Sequence, residues 1–215
     1  METNTEKNSN VLGAEQIPQQ KKGTEMNAVE KIELISETEA IRFFKIVKER
    51  LLDVNHWAEI AGIGMSHFFL TDAGGNLVQR NATGGDLIKI DIPGPGTKIG
   101  TGYDWVEIEE IKEQIMDGAD ILSMTVRPAV NPLTEEKDIA HFLTNQATST
   151  FQVKRIGNAI YAEEHGRNEV PNTATENTLD NIRNTFVGWG AKIGLAYPQW
   201  KALVKGLLHT NFKIS

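Results

Sequence analysis

Leu179-Asp-Asn-Ile182-Arg-Asn-Thr-Phe186-Val-Gly188-Trp189-Gly190-Ala-Lys-Ile193-Gly194-Leu-Ala196-Tyr-Pro198-Gln-Trp200-Lys-Ala-Leu203-Val-Lys-Gly-Leu207-Leu208 is the stretch on which the fold turns. Ile182, Phe186, Trp189, Ile193, Ala196, Trp200, Leu203 and Leu207 recur every third or fourth residue, which predicts a helix with one apolar stripe. Such a stripe must be laid on something, and the preceding hundred residues read as β-strands. A helix lying across a curved antiparallel sheet is therefore expected. Pro198 cannot continue a helix but suits a first turn, so a bend or a break is expected between Gly194 and Pro198. Gly188, Gly190 and Gly194 each weaken a helix by about 1 kcal/mol relative to Ala. Close packing on the sheet accounts for them; room for a ligand beneath the helix is the alternative.

Composition sets outer bounds. The 215 residues allow one large domain or two small ones, and 40% hydrophobic content is enough for a core. A formal charge of −7 argues against general affinity for nucleic acid or anionic membrane surfaces. Cysteine is absent, which excludes disulfides, thiolate catalysis and Cys-ligated metal centres and is compatible with a reducing compartment. No apolar run approaches the ~20 residues needed to span a bilayer, and no hydrophobic segment follows the first residues. The expectation is a soluble, cytoplasmic protein without membrane insertion or a nucleic-acid partner.

Residues 1 to 27 are polar and read as a disordered tail, with a single domain over 28–215. Val29–Ile35 suits a short strand. Ser36-Glu37-Thr38-Glu39 is a capping box, and Ala40, Phe44, Val47, Leu51 and Val54 follow at helical spacing. A second helical piece, His56 to Ala61, should turn Trp57 and Ile60 inward before Gly62 and Gly64. Six strands are then expected: His67–Thr71, Leu87–Ile92, Trp105–Ile111, Ile121–Arg127, Thr150–Ile156 and Ala159–Glu164. Glu109 and Glu110 break the alternation of the third, as a bulge would. Gly157-Asn158 reads as a two-residue hairpin turn. The insert from Pro128 to Ser149 reads as a lid-like loop.

Strand, helix pair, six strands and long helix make an α+β design with about six or seven strands. This order, with Val47-Lys-Glu-Arg-Leu-Leu-Asp53-Val-Asn-His-Trp57, resembles the START-like or SRPBCC superfamily of helix-grip folds. In the resemblance an Asp shortly precedes a Trp in the first helices, and roughly residues 28 to 210 are covered. The long insert departs from the compact family pattern. Pro93-Gly-Pro-Gly-Thr-Lys98 is similar to the glycine-rich loop of birch-pollen-allergen-like plant ligand carriers, though it falls one strand later than in that family. It lacks the following helix and the Lys-Ser or Lys-Thr pair of a nucleotide-binding loop, so a stiff hairpin connection is the plainer reading.

The resemblance implies a small hydrophobic or amphipathic ligand held between sheet and C-terminal helix. Phe186, Trp189, Ile193 and Trp200 would form one wall, with Ile90 and Trp105 opposite; all six serve equally as core residues. Asp104, His165, Arg167 and Glu169 are the candidate polar pocket, and Asp104 equally reads as a turn residue. Strand alternation sends Glu163, His165 and Arg167 to one face and Glu164 and Asn168 to the other. A solvated edge with salt bridges explains the first group unless that face is turned inward. The five histidines show no metal-ligand spacing and there is no Gly-x-Ser-x-Gly, so neither metal, cofactor nor a catalytic set is assigned. Two other readings remain open: a cyclase- or hydrolase-type enzyme on the same fold, and an interaction module with a filled core.

Overall fold

A computed structural model describes residues 12–62, 66–92, 100–172 and 197–210. Seven strands form one sheet: β1 (Thr24–Glu33), β2 (His67–Thr71), β3 (Leu87–Asp91), β4 (Asp104–Met116), β5 (Ala119–Pro128), β6 (Thr148–Ile156) and β7 (Ala159–Glu169). Their order is β1-β7-β6-β5-β4-β3-β2, and every neighbouring pair is antiparallel. Helix α1 (Glu37–Leu52) and the short α2 (Trp57–Ala61) follow β1, and α3 (197–207) follows the sheet. The class is α+β, a seven-stranded antiparallel sheet with a C-terminal helix on it.

Local chemistry sets the boundaries. The Ser36 side chain accepts from the Glu39 amide at 3.2 Å, the first half of the expected capping box. Ala40, Phe43, Phe44, Val47 and Leu51 then bury one face of α1 against β6 and β7. Gly62, at φ 99°, ends α2 with its amide on the Ala58 carbonyl. The register of β4 against β5 shifts between Ile108 and Glu110, so the bulge falls where the two glutamates break the alternation. Gly157, at φ 57°, opens the two-residue turn between β6 and β7. The described part of helix α3 starts at Tyr197, and the stretch in which the bend or break was expected, Gly194 to Ala196, lies outside the described residues.

One face of the sheet carries the core. Phe68, Leu70, Ile88, Ile108, Met124, Phe151, Val153 and Ile160 point there, and Leu203, Val204 and Leu207 of α3 join them. Three hydrogen bonds lock α3 in place. The Ser66 amide donates to Gln199 Oε1 at 3.2 Å near its start. At its end the buried Arg50 guanidinium donates to the carbonyls of Leu207 at 2.7 Å and His209 at 2.9 Å. A cation at a helix C-terminus satisfies orphan carbonyls and complements the dipole. Gly206 permits the closest approach, since a Cβ there would stand 2.0 Å from the Ile60 carbonyl oxygen of α2.

Two expectations differ from the structure. β1 starts at Thr24, ahead of Val29, and residues 12–23 run against the outer face of the sheet. Gln152 Nε2 donates to the Gly13 carbonyl at 2.8 Å, and the Ser123 hydroxyl donates to Gln16 Oε1. The Lys21 amide donates to Asn168 Oδ1 at 2.7 Å, and Asn168 Nδ2 donates to the Gln19 carbonyl at 3.0 Å. This segment has little apolar surface to bury, but its polar groups are matched by polar side chains standing on β5, β6 and β7. The remainder of the expected tail, 1–11, lies outside the described residues. The insert after β5 is likewise tied down, with Trp105 donating its amide to the Ala140 carbonyl at 2.8 Å and Ala129 donating to the Trp105 carbonyl at 2.9 Å.

Leu203 is fully buried whereas Lys205 is exposed on the same helix. Leu203→Ala should therefore lower unfolding free energy by about 2–5 kcal/mol. Lys205→Ala should stay within about 0.5 kcal/mol, both read from urea denaturation midpoints.

Candidate binding cavity

Four aromatic rings from four elements meet under α3. Trp57 of α2 lies 5.4 Å from Phe68 of β2 and 4.9 Å from Phe151 of β6, centroid to centroid. Trp200 of α3 closes the circuit at 5.9 Å from Phe68 and 5.2 Å from Phe151. The edge-on and tilted arrangements, from 36° to 76°, suit the ring quadrupoles. Trp57 Nε1 donates to the Leu51 carbonyl at 3.1 Å, so its polar atom is satisfied inside the core.

Beside these rings lies a cavity of about 80 Å3. Its sheet wall is Ile88 and Ile90 of β3, Val106 of β4 and Val126 of β5, consecutive neighbours on the core face. His141, Phe142 and Leu143 of the insert form another side. The Leu143 amide donates to His141 Nδ1 at 3.0 Å, which fixes that ring nitrogen as an acceptor. Ser66, Thr148, Ser149, Gln199 and Glu169 are the polar lining groups besides His141.

A bulge brings Glu169 to this wall. Met26 pairs with Gly166 but Thr24 pairs with Glu169, so β7 carries an extra residue there, and Asn168 takes the left-handed conformation at φ 56°. Without the bulge, alternation would leave Glu169 on the outer face with Glu163, His165 and Arg167. With it, the Glu169 carboxyl folds over Gly166, where a Cβ would stand 2.6 Å from Glu169 Oε1. The Thr24 hydroxyl donates to Glu169 Oε2 at 3.1 Å.

Glu164 stands next to it on the core face, opposite Phe151 of β6 and Ala28 of β1. It is fully buried, and among the described residues neither carboxyl oxygen has a well-formed hydrogen bond. Burial, then the neighbouring Glu169 charge, push its carboxyl well above the usual range; the Ser149 hydroxyl and the Arg167 charge only partly oppose them. Burial raises Glu169 as well, against the Thr24 hydroxyl and Arg167. Among the described residues no cluster of His, Asp and Glu has a metal-binding arrangement.

The expected site residues divide among several places. Ile90, Trp200 and Glu169 line the cavity. Trp105 does not: it points to the outer face, fully buried with Leu87, Ala129 and Ala140 beneath the insert. Local periodicity cannot show which face an insert will cover. Asp104 shares a face with Ile90 by register and is buried, but does not line the cavity. Phe186, Trp189 and Ile193 lie outside the described residues.

His165 and Arg167 are on the outer face. His165 Nε2 meets Glu163 Oε2 at 2.8 Å, its Nδ1 meets Asn27 Oδ1 at 2.7 Å, and Lys154 pairs with Glu163 at 2.7 Å. Arg167 donates to the Met26 carbonyl at 3.0 Å and to Asn27 Oδ1 at 2.8 Å. The salt bridges expected there exist, but the group is not a solvated edge: Lys154, Glu163 and His165 are buried. Burial works to raise Glu163; the His165 hydrogen bond and Lys154 ammonium outweigh it and hold the carboxyl low. Sequence reasoning missed Phe68, Ile88, Val126 and Phe151 as cavity walls, although their strands were delimited, and it left Glu164 out of the site. An uncompensated acid on an otherwise apolar strand face was the available signal.

No family model matches the sequence and no curated protein matches it. Among solved structures the chain is similar to Ara h 8.0201 at 13% identity, covering 86% of this chain and 99% of that one, with a TM-score of 0.34. It is similar to protein Ms6760 from Mycobacterium smegmatis at 12% identity, with 88% and 93% coverage and a TM-score of 0.39. It is similar to truncated norcoclaurine synthase from Thalictrum flavum at 10% identity, with 90% and 100% coverage and a TM-score of 0.36. Identities and scores at this level establish neither a family nor a function for this chain.

The raised Glu164 carboxyl makes a signed prediction. Below the unfolded-state value both native and unfolded chains hold the proton, and burial of the neutral acid carries no ionisation penalty. As pH rises past that value the unfolded chain releases a proton that the native state retains, so stability falls. Glu164→Gln removes this penalty. Its urea-denaturation stability relative to wild type should climb as pH rises above the ordinary glutamate range of about 4; a pH-independent difference would contradict the assignment.

Proposed function

We propose that the protein binds a small apolar or amphipathic molecule in the cavity between the sheet and α3. The observation that carries this reading is the aromatic-lined space of about 80 Å3 within the core. Protein interiors rarely leave voids much larger than a water molecule, and a dry apolar void forfeits contacts along its whole lining. The space exceeds the ~10–15 Å3 one water requires, yet is far below the ~300–1,000 Å3 of sites for drug-sized ligands. The ligand is therefore a short chain or a single ring unless α3 shifts outward.

Binding is favoured over catalysis because an enzyme reading needs at least two of Asp104, His165, Arg167 and Glu169 to meet inside. Only Glu169 is on the wall. A filled-core interaction module is disfavoured by the cavity itself. Against nucleic acid stands the negative charge, and no helix among the described residues is long and apolar enough to cross a membrane.

Native mass spectrometry of gently purified protein, followed by melting scans with neutral alkanols and one-ring aromatics, tests the reading. A ligand at about 100 times its Kd should add about 2.7 kcal/mol of stability. Val126→Phe should fill the space, retain a cooperative melt and abolish the ligand-induced shift. No retained mass and no shift with any neutral compound would refute the binding function.

A further inference from the structure

We propose that the Glu169 end of the cavity, behind which Glu164 is buried, receives a protonated amine, making small amphipathic amines the ligand class. The inference rests on the cavity being a binding site and specifies its polar end. The two carboxyls are adjacent on the core face, one fully buried without a well-formed hydrogen bond and the other on the cavity wall. Gly166 between them leaves room for the Glu169 carboxyl to fold inward. An unpaired acid inside an apolar core is costly, and a second acid beside it increases the cost. Arg167 compensates them only in part, since its guanidinium is engaged on the outer face with the Met26 and Gly166 carbonyls and with Asn27. An ammonium brought by a ligand would pair with Glu169 on the wall and act through space on Glu164 behind it, while its apolar body lies against Phe151, Trp200 and Ile90.

The electrostatic surroundings make the choice of cation specific. Across β1 Glu164 meets Ala28, and across β6 it meets Phe151. On its own strand the charged neighbours are Glu169 and Arg167, and β6 adds the Ser149 hydroxyl. His141 is the other titratable group on the cavity wall among the described residues, and its Nδ1 already accepts from the Leu143 amide. Both carboxyls are held toward the neutral form by burial. Entry of R–NH3+ therefore expels one carboxyl proton to solvent and leaves an ammonium–carboxylate pair. Amine affinity should rise with pH until the free carboxyl is itself ionised.

Matched n-alkyl amines, alcohols and carboxylates, butyl to decyl, would be compared by melting shift and calorimetry on wild type, Glu164→Gln and Glu169→Gln. The amine should bind at least about tenfold tighter than the alcohol of equal length, with the carboxylate weakest. Near about pH 5 amine binding should release up to about one proton per site, and alcohol binding none. Either Gln variant should reduce amine affinity by about tenfold and leave alcohol affinity within about threefold, which shows that the cavity survives. Equal binding of amine and alcohol, or preference for the carboxylate, overturns the amine inference while the binding function stands. Failure of the whole series, alcohols included, overturns both.

Discussion

Trp57, Phe68, Phe151 and Trp200 hold one another, and through them α2, β2, β6 and α3 are held together. Each ring belongs to a different element, and the two strands that carry Phe68 and Phe151 are linked through four strand pairings. The quartet fixes the height at which α3 crosses the sheet. Arg50 on its last carbonyls and Gln199 at its first turn fix where it starts and stops. The cavity is a consequence of that geometry: α3 is propped on large rings near Trp200, while aliphatic Ile88, Ile90, Val106 and Val126 opposite do not reach up to fill the space.

The two faces of the sheet solve different problems with similar residues. On the outer face charged groups are buried in complementary sets, Lys154 with Glu163 and His165, and the polar segment 12–23 bonds to its surroundings. On the core face the acids Glu164 and Glu169 form no salt bridge among the described residues, and Arg167 offsets them only in part. Buried ion pairs with satisfied geometry are sustainable, whereas a buried acid without a cation adopts its neutral form.

Much of the framework was legible because it is local. The Ser36 cap, the Gly157-Asn158 turn and the disturbance at Glu109 each depend on residues within a few positions of one another. The strands expected at His67–Thr71 and Leu87–Ile92 are found at His67–Thr71 and Leu87–Asp91. What alternation could not resolve was the end of β7, where one left-handed Asn168 shifts Glu169 to the opposite face and separates it from Arg167. Trp105 was misplaced for a related reason: its face is decided by an insert about thirty residues downstream in the chain, and nothing near Trp105 records where that insert lies. Segment 12–23 was unreadable because its order comes from hydrogen bonds to strands more than a hundred residues away rather than from its own apolar content.

The tryptophans make the cavity directly observable. Trp57 and Trp200 border it, while Trp105 is buried on the opposite face. Indole N–H resonances of isotopically labelled protein, followed by NMR during titration with a neutral alkanol, report on both faces at once. The cavity predicts saturable shifts at Trp57 and Trp200 with a common dissociation constant and a stationary Trp105. Unmoved Trp57 and Trp200 resonances, or shifts no larger than those of Trp105, would contradict it.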